Sequence, residues 1–350
     1  MSKMGKQPTI KDVAKEAGVS IKTVSRVINN QRDVKPETRE KVLKIIKEIG
    51  YQPNAIARGL RMKKTYSIGV IIGDITNNFY SDIVRGIEDF ALSKNYSILL
   101  ANSDEMLFKE KMYVKVFLEK QVDGMIIVPS VGAKDYLKPI LKKMPLVFVD
   151  REIEGLNVPS VTVDNEEGAY ELTKHLIIDH GYTKIAYISH TIGVTTSEKR
   201  YAGFKKALYE FGITPIEEII KLNNKTIEDG FNATQEIIMS GYRPQVIFTS
   251  NNLLAVGAMK ALKYYSIEVP RDIALVTFDD FKLAEGFRPH LTVVSQPSYE
   301  MGKVATNLLF KQIEENAIQN EKVVLPTKLI FRESCGCSLF NKNFRGGEKA

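Results

Sequence analysis

Near the start of the chain, the side chains best suited to specific chemistry belong to residues 20–26. Arg26 or Lys22 can donate hydrogen bonds to guanine O6 and N7, and Ile21 can contact a thymine methyl group. Neighbouring hydroxyl groups can hold backbone phosphates. These side chains predict contact with DNA, and we assign that role to Thr9, Ser20, Ile21, Lys22, Thr23, Ser25, Arg26 and Asn29.

A helix-turn-helix would position these side chains. Thr9 can cap a first helix with Asp12 three residues on, Gly18 can end that helix, and Ser20 can cap a second one. The predicted apolar faces consist of Ile10, Val13, Ala14 and Ala17 in the first helix and Val24, Val27 and Ile28 in the second. Their spacing at i, i+3, i+4 and i+7 is helical. The alternative is that any two short helices joined by Ala-Gly-Val-Ser produce this pattern.

The distribution of charge favours the DNA-binding interpretation. Residues 1–64 contain sixteen Lys and Arg against six Asp and Glu, whereas the remaining 286 residues contain 33 against 36. The whole positive excess of the chain therefore lies beside the predicted helix-turn-helix. Such a basic block is typical of proteins that bind a polyanion, because neutralised phosphates release counterions.

From Tyr66 onward, short apolar runs alternate with amphipathic helical segments. The runs are SIGVIIG, YSILLAN, GMIIVP, LVFVD, KIAYIS, QVIFTS and IALVTF. They predict buried parallel strands with crossover helices, in two α/β units of similar size. Ligands of such doubly wound folds bind beyond the carboxyl ends of the strands, so two facing lobes would enclose a binding cleft.

Polar and aromatic side chains follow several of these strands. We expect the ligand to contact Phe79, Tyr80, Asp150, Arg200, Asn251 and Asp279. Carboxylates and an arginine can each hold two adjacent hydroxyl groups, and an aromatic ring can cover the apolar face of a pyranose, so the set indicates a sugar-like ligand. Each residue also has an ordinary alternative: Asp279 could cap the next helix, and Arg200 could pair with Glu198 or Glu171.

The pattern DVAKEAGVSIKTVSRVIN closely resembles the LacI/GalR family of transcriptional regulators, and the resemblance extends from Thr9 to about Cys337. It implies a third headpiece helix in PETREKVLKIIKEIG, which starts at Pro36, buries Val42, Ile45, Ile46 and Ile49, and is closed by Gly50. It also implies a homodimer that binds a pseudo-palindromic operator. The implied fold is an all-α helix-turn-helix headpiece followed by a two-lobed, doubly wound α/β effector domain like that of periplasmic sugar-binding proteins.

The resemblance sets the domain boundaries. The headpiece would take residues 1–52, a hinge helix or linker residues 53–64, the effector and dimerisation domain residues 65–340, and a flexible tail residues 341–350. The chain of this family crosses between lobes three times. Lobe 1 is accordingly expected at about 66–163 plus 295–325, and lobe 2 at about 164–293 plus 326–340.

The predicted hinge also carries DNA-binding residues. In the family this segment becomes helical when two copies meet in the minor groove. Asn54 would cap the helix, Ala57 is one of its small or apolar residues, and Leu60 would wedge between base pairs. A helix of about seven residues is too short to be stable alone, so its folding must be coupled to a partner. The alternative is a plain linker between domains.

The effector-binding positions partly match the family. Arg200 and Asp279 occupy positions at which family members commonly hold their effector. Asn251 occupies a third position that frequently contacts the effector. Two residues depart from the pattern: Asn252 stands where many members have Asp, and Lys225 where many have an aromatic residue. Because Lys225 could attract an anion, one hypothesis is that the effector is an acidic or phosphorylated sugar. The alternative is that Lys225 is an ordinary solvated lysine in a loop.

Several classes of protein are disfavoured. No stretch approaches the roughly eighteen apolar residues of a membrane span, and the N-terminus lacks the apolar core of a signal peptide, which indicates the cytoplasm. Cys335 and Cys337 are interpreted as reduced and incidental, because the four histidines show no metal-ligand spacing with them. We expect no metal, no cofactor and no catalysis, since no set of nucleophile, base and orienting residue stands out.

The sequence therefore predicts a ligand-gated, DNA-binding transcriptional repressor. One alternative is a carbon-catabolite regulator with a phosphorylated carrier protein as corepressor, since GIEDFA and NAIARGL resemble that subgroup, although Arg200 does not fit it. The other is a sugar-binding transport or sensor protein, which the lobes alone would permit and the headpiece disfavours.

Overall fold

A computed structural model of the chain describes residues 8–28, 30–31, 33–51, 64–280, 289–315 and 320–337. By its internal contacts the chain divides into two compact units, Met1–Thr65 and Tyr66–Ala350. The predicted contacts Asn29, Asn54, Ala57 and Leu60, most of the predicted hinge and the C-terminal tail lie outside the described residues.

Three helices make up the described part of the first unit: α1 (Ile10–Ala17), α2 (Ile21–Ile28) and α3 (Pro36–Glu48). At the start of α1 the backbone N–H and the hydroxyl of Thr9 both donate to Asp12 Oδ2 at 2.7 Å. Gly18 ends α1 in the left-handed conformation at φ 64°, and Ser20 Oγ accepts from the Thr23 N–H at 3.1 Å. These caps are the ones that the sequence predicted, so each helix boundary has a local cause.

The core of the first unit is small and entirely aliphatic. Its buried residues are Val13, Ala14, Ala17, Val24, Val27, Val42 and Ile45. Ile10, Ile28, Ile46 and Ile49 pack against this core while remaining partly exposed. In contrast, Ile21 is 44% exposed at the first position of α2, as a residue that contacts DNA requires.

The second unit contains twelve strands among its described residues. They are β1 (Ser67–Ile72), β2 (Ser97–Asn102), β3 (Met125–Ile127), β4 (Leu146–Val149), β5 (Ser160–Val163), β6 (Ile185–Ile188), β7 (Ile220–Lys221), β8 (Val246–Thr249), β9 (Ala274–Phe278), β10 (Thr292–Ser295), β11 (Lys322–Leu325) and β12 (Lys328–Ile330). Its α-helices are α4 (Asn78–Ser93), α5 (Leu107–Glu119), α6 (Lys134–Leu137), α7 (Asn165–Ile178), α8 (Thr195–Glu210), α9 (Ile227–Met239), α10 (Asn252–Tyr264) and α11 (Ser298–Glu315). Within the described ranges, no helix is long and apolar enough to cross a membrane.

The strands form two six-stranded sheets. Their orders are β11-β5-β4-β3-β1-β2 in the first lobe and β12-β10-β9-β8-β6-β7 in the second, and all neighbours are parallel except β10 and β12. The chain passes from the first sheet to the second after β5, returns with α11, which packs on α4 and β4, and crosses again between β11 and β12. Both lobes are doubly wound, which confirms the fold class predicted from the sequence. In such lobes the carboxyl ends of the parallel strands share one edge, where ligands bind.

Candidate ligand-binding cleft and nucleic-acid interface

A cavity of about 370 Å³ lies between the two lobes of the second unit. Its lining includes all six side chains that the sequence singled out for ligand contact: Phe79, Tyr80, Asp150, Arg200, Asn251 and Asp279. They come from the carboxyl ends of strands or from the helices that follow. The structure therefore brings together residues that are separated by as many as 200 positions in the sequence.

Arg200 is buried in this cavity, where its hydrogen bonds go to neutral groups and a carboxylate lies nearby. Its Nε donates to Asn165 Oδ1 at 2.7 Å, and one terminal nitrogen donates to the Ser250 carbonyl at 2.7 Å. That nitrogen also lies 3.6 Å from Asp279 Oδ2, and the guanidinium carbon lies 3.8 Å from the centre of the Phe278 ring. These contacts fix the plane of the guanidinium group, which is what a positioned donor to a ligand needs.

The suggested alternative partners of Arg200 are wrong. Glu198 instead accepts a hydrogen bond from the Gly193 N–H at 3.0 Å, and Glu171 pairs with Lys174 at 3.3 Å. Glu198 is exposed and Glu171 is half-buried, whereas Arg200 is buried and lines the cleft.

Asp279 follows β9 directly, with a left-handed backbone at φ 72°. One oxygen accepts a hydrogen bond from Gln296 Nε2, and the other faces Arg200. Burial raises the pKa of this carboxyl group, and the charge of Arg200 opposes that effect. The alternative role as a helix cap concerns residues 281–288, which lie outside the described part of the chain.

A second charged cluster lies on the lobe 1 side. The Tyr80 hydroxyl donates to Asp150 Oδ2 at 3.4 Å, and Arg151 donates to the Tyr80 oxygen at 3.1 Å. Arg151 also pairs with Asp150 at 3.4 Å and with Glu105. Burial raises the pKa values of Tyr80 and Asp150. The rings of Phe79 and Tyr80 meet edge to face with their centres 5.2 Å apart, so an aromatic wall adjoins the carboxylate.

Polar contacts join the lobes across the cleft. Glu105 of lobe 1 lies 3.2 Å from His190 Nε2 of lobe 2, and the Asn252 amide donates to Asn77 Oδ1 at 3.0 Å. The side chain of Asn251 is used differently, because its oxygen accepts from the Leu254 N–H at 2.9 Å and caps α10. Its amide nitrogen remains the atom through which Asn251 could contact a ligand.

Sequence reasoning missed five ionisable residues of the cavity, which are Asp74, Asp104, Glu105, Arg151 and His190. Glu105 comes three residues after β2 and His190 two residues after β6, so the rule that found Asp150 and Asp279 would have found them as well. Asn165 and Gln296 hold Arg200 and Asp279 in place, and no local pattern in the sequence indicated either residue.

Lys225 lines the same cavity and is exposed, just before the start of α9. Its backbone N–H donates to Asp229 Oδ2 at 2.8 Å, which fixes the loop and leaves the side chain at the opening. Arg151 and Arg200, by contrast, are buried and already face carboxylates. Lys225 is therefore a cation that a ligand could reach without displacing a buried partner.

In the first unit, the predicted DNA-contacting side chains that the structure describes differ in their exposure and in their partners within the protein. Ile21 and Lys22 are exposed on the first turn of α2. Ser20 Oγ and Thr23 Oγ1 lie 2.9 Å apart, and Arg26 pairs with Asp33 at 3.0 Å. The ion pair with Asp33 occupies one terminal nitrogen of Arg26, so it competes with DNA for that donor.

The prediction that the cysteines have no histidine partners is wrong, because two histidines lie next to them in the structure. His175, His180, Cys335 and Cys337 present one nitrogen or sulfur atom each, and these atoms all lie within 4.8 Å of one another. Both cysteines are free thiols. The spacing in the sequence did not indicate the cluster, because its two halves are more than 150 residues apart.

Comparison with known proteins agrees with this architecture. A family model described as "Bacterial regulatory proteins, lacI family" matches residues 9–54, and one described as "Periplasmic binding protein-like domain" matches residues 173–335. Catabolite control protein A of Priestia megaterium is 39% identical over 93% of this chain and 98% of its own length. The ribose operon repressor of Halalkalibacterium halodurans is 38% identical, with 93% and 96% covered. A crystal structure of the lac repressor dimer bound to operator and the anti-inducer ONPF matches with a TM-score of 0.85 at 27% identity, covering 94% of this chain and 99% of that one.

Proposed function

The chain belongs to the LacI family of bacterial regulatory proteins, and on that basis we propose that its cleft binds a sugar-type effector that sets the affinity for an operator. The family and the fold class predicted from the sequence are confirmed. The protein is a DNA-binding transcriptional repressor that acts as a homodimer on double-stranded operator DNA, and its relatives are regulators rather than enzymes.

The observation that carries the proposal is the cavity between the lobes, where paired charges of both signs surround an aromatic wall. Sugars present adjacent hydroxyl groups on a ring with apolar faces. Carboxylates accept hydrogen bonds from such hydroxyls, an arginine donates to them, and an aromatic ring packs on the apolar face. The cavity volume of about 370 Å³ suits a ligand of this size.

We assign roles to the cavity residues accordingly. Asp150 and Asp279 accept hydrogen bonds from ligand hydroxyls, Arg200 donates to ligand oxygens, and the Asn251 amide donates a further bond. Phe79 and Tyr80 cover the ring. Because these groups come from both lobes, a ligand that contacts them stabilises one arrangement of the lobes over another.

The domain assignment remains part of this proposal. Residues 1–52 serve as the headpiece, 53–64 as the hinge, 65–340 as the effector and dimerisation domain and 341–350 as the tail. Because operator DNA is reached in the cytoplasm, we place the repressor there.

Lys225 favours an effector that carries a negative charge. It is exposed at the cavity, where it can attract a carboxylate or phosphate of the ligand without a rearrangement of buried ion pairs. The effector would then be an acidic or phosphorylated sugar whose anionic group lies at the opening and whose hydroxyls lie between Arg200 and Asp150.

The test is a thermal-shift screen of the full chain against neutral hexoses and pentoses, uronates and sugar phosphates, followed by calorimetry of the hits. A ligand that binds only the folded state raises the unfolding midpoint. Lys225→Gln should weaken binding of an anionic hit, whereas Lys260→Gln, an exposed lysine on α10 of the same lobe, should not. Preferred binding of neutral sugars would refute the anionic effector, and no binding by any sugar class would refute the proposed effector type.

A second candidate function is catabolite regulation with a protein corepressor. Two relatives, at 39% and 37% identity, are named catabolite control protein A. The discriminating experiment is a pull-down with a serine-phosphorylated carrier protein, with the unphosphorylated carrier as control. Retention of the phosphorylated form alone, with tighter operator binding in its presence, would favour this candidate over a small-molecule switch.

A further inference from the structure

The second lobe contains a compact group of metal-binding side chains away from the cleft, which we call the His/Cys cluster. It comprises His175 in the last turn of α7, His180 shortly after that helix, and Cys335 and Cys337 at the C-terminal end of the described chain. Cys335 closes the 3-10 helix Glu333–Cys335 that follows β12. The histidine and cysteine pairs are thus contributed by two distant segments that meet at one edge of the lobe.

Several distances in the cluster are close to those of a tetrahedral ligand set. His175 Nε2 and His180 Nε2 are 3.3 Å apart, and Cys337 Sγ lies 3.5 Å from each of them. The two sulfur atoms are 3.1 Å apart. With Zn–N bonds of about 2.0–2.1 Å and Zn–S bonds of about 2.3 Å, tetrahedral ligands are separated by about 3.3–3.8 Å. Three of the six ligand pairs already have this spacing, the sulfur pair would need to open by about 0.6 Å, and all four atoms lie within 4.8 Å of one another.

The surroundings of the cluster orient its ligands. His175 Nδ1 lies 2.6 Å from Asp179 Oδ2, so a carboxylate holds the ring with Nε2 directed at the other three residues. Gly336 between the cysteines adopts φ 102°, a left-handed conformation that lets both sulfurs face the same point. The Tyr182 hydroxyl donates to the Cys335 carbonyl at 3.1 Å, which fixes this turn.

We propose that the His/Cys cluster is a structural zinc site. Two thiolates and two imidazoles at tetrahedral spacing are a preferred ligand set for Zn²⁺, and since protein atoms fill all four positions, no position remains for a substrate. Binding releases the thiol protons to solvent. The ion ties the C-terminal segment to the end of α7 and so closes a loop between residues that are 157 positions apart.

The zinc site is separate from the effector cleft. His175 lies ten residues after Asn165 on α7, which corresponds to about 15 Å along the helix axis. Asn165 holds Arg200 at the cleft, and His175 lies at the opposite end of the same helix. The proposed ion therefore stabilises the second lobe without contacting the effector.

The first test measures metal in the full chain purified under reducing conditions without added chelator. Mass spectrometry of the native protein and elemental analysis should find about one zinc per chain. After removal of zinc, titration with Co²⁺ should produce the intense visible bands of tetrahedral cobalt and a thiolate-to-cobalt charge-transfer band. These readouts do not depend on DNA or effector binding.

Variants locate the site. Cys337→Ser and His180→Gln should each abolish the cobalt bands and lower the zinc content to a small fraction, whereas Asp179→Asn should weaken zinc binding about 10- to 100-fold. His290→Gln, a histidine outside the cluster, should behave as wild type. Circular dichroism of each variant checks that the chain still folds.

Three results would overturn the proposal. The first is a reduced, folded wild-type chain with two titratable thiols that neither contains zinc nor develops cobalt bands. The second is a disulfide between Cys335 and Cys337 in protein prepared without air. The third is unchanged cobalt binding in folded Cys337→Ser and His180→Gln.

Discussion

At the level of single residues, the charged side chains of the cleft already compensate one another before a ligand binds. Arg200 faces Asp279, and Arg151 faces Asp150 and Glu105. Burial nevertheless raises the pKa values of Asp150 and Asp279, which indicates that these carboxylates have lost more hydration than their partners replace. Hydroxyl groups of an effector would supply the missing hydrogen bonds.

Asp279→Asn is predicted to weaken effector binding by about 10- to 100-fold, because a hydrogen bond to a charged group contributes roughly 1.5–3 kcal/mol. Operator binding without effector should be unchanged, since Asp279 lies outside the first unit. Calorimetry measures effector affinity, and fluorescence anisotropy measures operator affinity. Asp272→Asn, an exposed aspartate of the same lobe, is the matched control. Equal effector affinity in wild type and Asp279→Asn would remove this residue from the site.

Glu105 gives the stability of the second unit a predictable pH dependence. Burial would raise its pKa, but the Arg151 charge and the His190 hydrogen bond together hold the pKa well below its ordinary value of 4.5. A carboxyl group whose pKa is lowered in the folded state stabilises that state above its unfolded pKa, and the stabilisation is lost as the pH falls below about 4.5.

Glu105→Gln should therefore reduce the free energy of unfolding at pH 7 and flatten its decline between pH 5 and pH 3. Urea unfolding followed by circular dichroism at several pH values measures both effects. Glu119→Gln, an exposed residue of lobe 1, should leave the curve close to that of wild type. A Glu105→Gln curve parallel to wild type would show that the ion pair does not contribute to this slope.

At the level of secondary structure, the packing of α2 on α1 and α3 determines which of its faces is exposed. Val24 and Val27 bury one side of the helix, and this leaves Ile21 and Lys22 exposed on its first turn. Arg26 is partly exposed and pairs with Asp33, so its contribution to DNA binding is the difference between its contact with DNA and this ion pair.

Arg26→Ala should cost about 1–3 kcal/mol on the selected operator and relax sequence preference at one position of each half-site. The operator is obtained by selection from a random duplex pool, and anisotropy titrations with single-base variants measure the preference. Lys44→Ala on α3, where the exposed lysine pairs with Glu48, serves as a control for lost charge. A uniform loss on every duplex would assign Arg26 to a phosphate.

At the level of the whole molecule, effector binding in the cleft can favour one arrangement of the two lobes over another. Glu105–His190 and Asn77–Asn252 join the lobes directly, beside the residues proposed to hold the ligand. A ligand that changes these contacts shifts the balance between lobe arrangements, and in a dimer both copies contribute to the shift.

Linkage makes this coupling measurable without knowledge of its path. The factor by which saturating effector changes the dissociation constant for operator must equal the product of the factors by which operator changes the dissociation constants for effector at the two sites of the dimer. We expect a factor of about 5 to 150 per site, with two chains bound per operator in analytical ultracentrifugation. A decrease in operator affinity identifies an inducer and an increase a corepressor. An effector that binds tightly and leaves both constants unchanged would refute gating by this cleft.

Local physical chemistry made much of this protein predictable from its sequence. The capping pair Thr9 and Asp12, the left-handed Gly18 and the aliphatic spacing of α1 and α2 involve residues within one or two helical turns. Seven of the twelve described strands were equally visible as short apolar runs, whereas β5, β7, β10, β11 and β12 were not predicted. Because the carboxyl ends of parallel strands share an edge, the six predicted ligand contacts could be placed in one cleft before the structure was known.

Tertiary structure decided which of these groups face each other. Glu105 meets His190 only because two lobes close on one another, and Arg200 takes Asn165 rather than Glu171 because α7 and α8 pack at Gly203, where an added Cβ would lie 2.0 Å from the Glu166 carbonyl. The His/Cys cluster depends on a third passage of the chain between lobes. Such contacts join residues far apart in sequence, and hydrophobic periodicity and capping act over only a few residues, so neither could have indicated them.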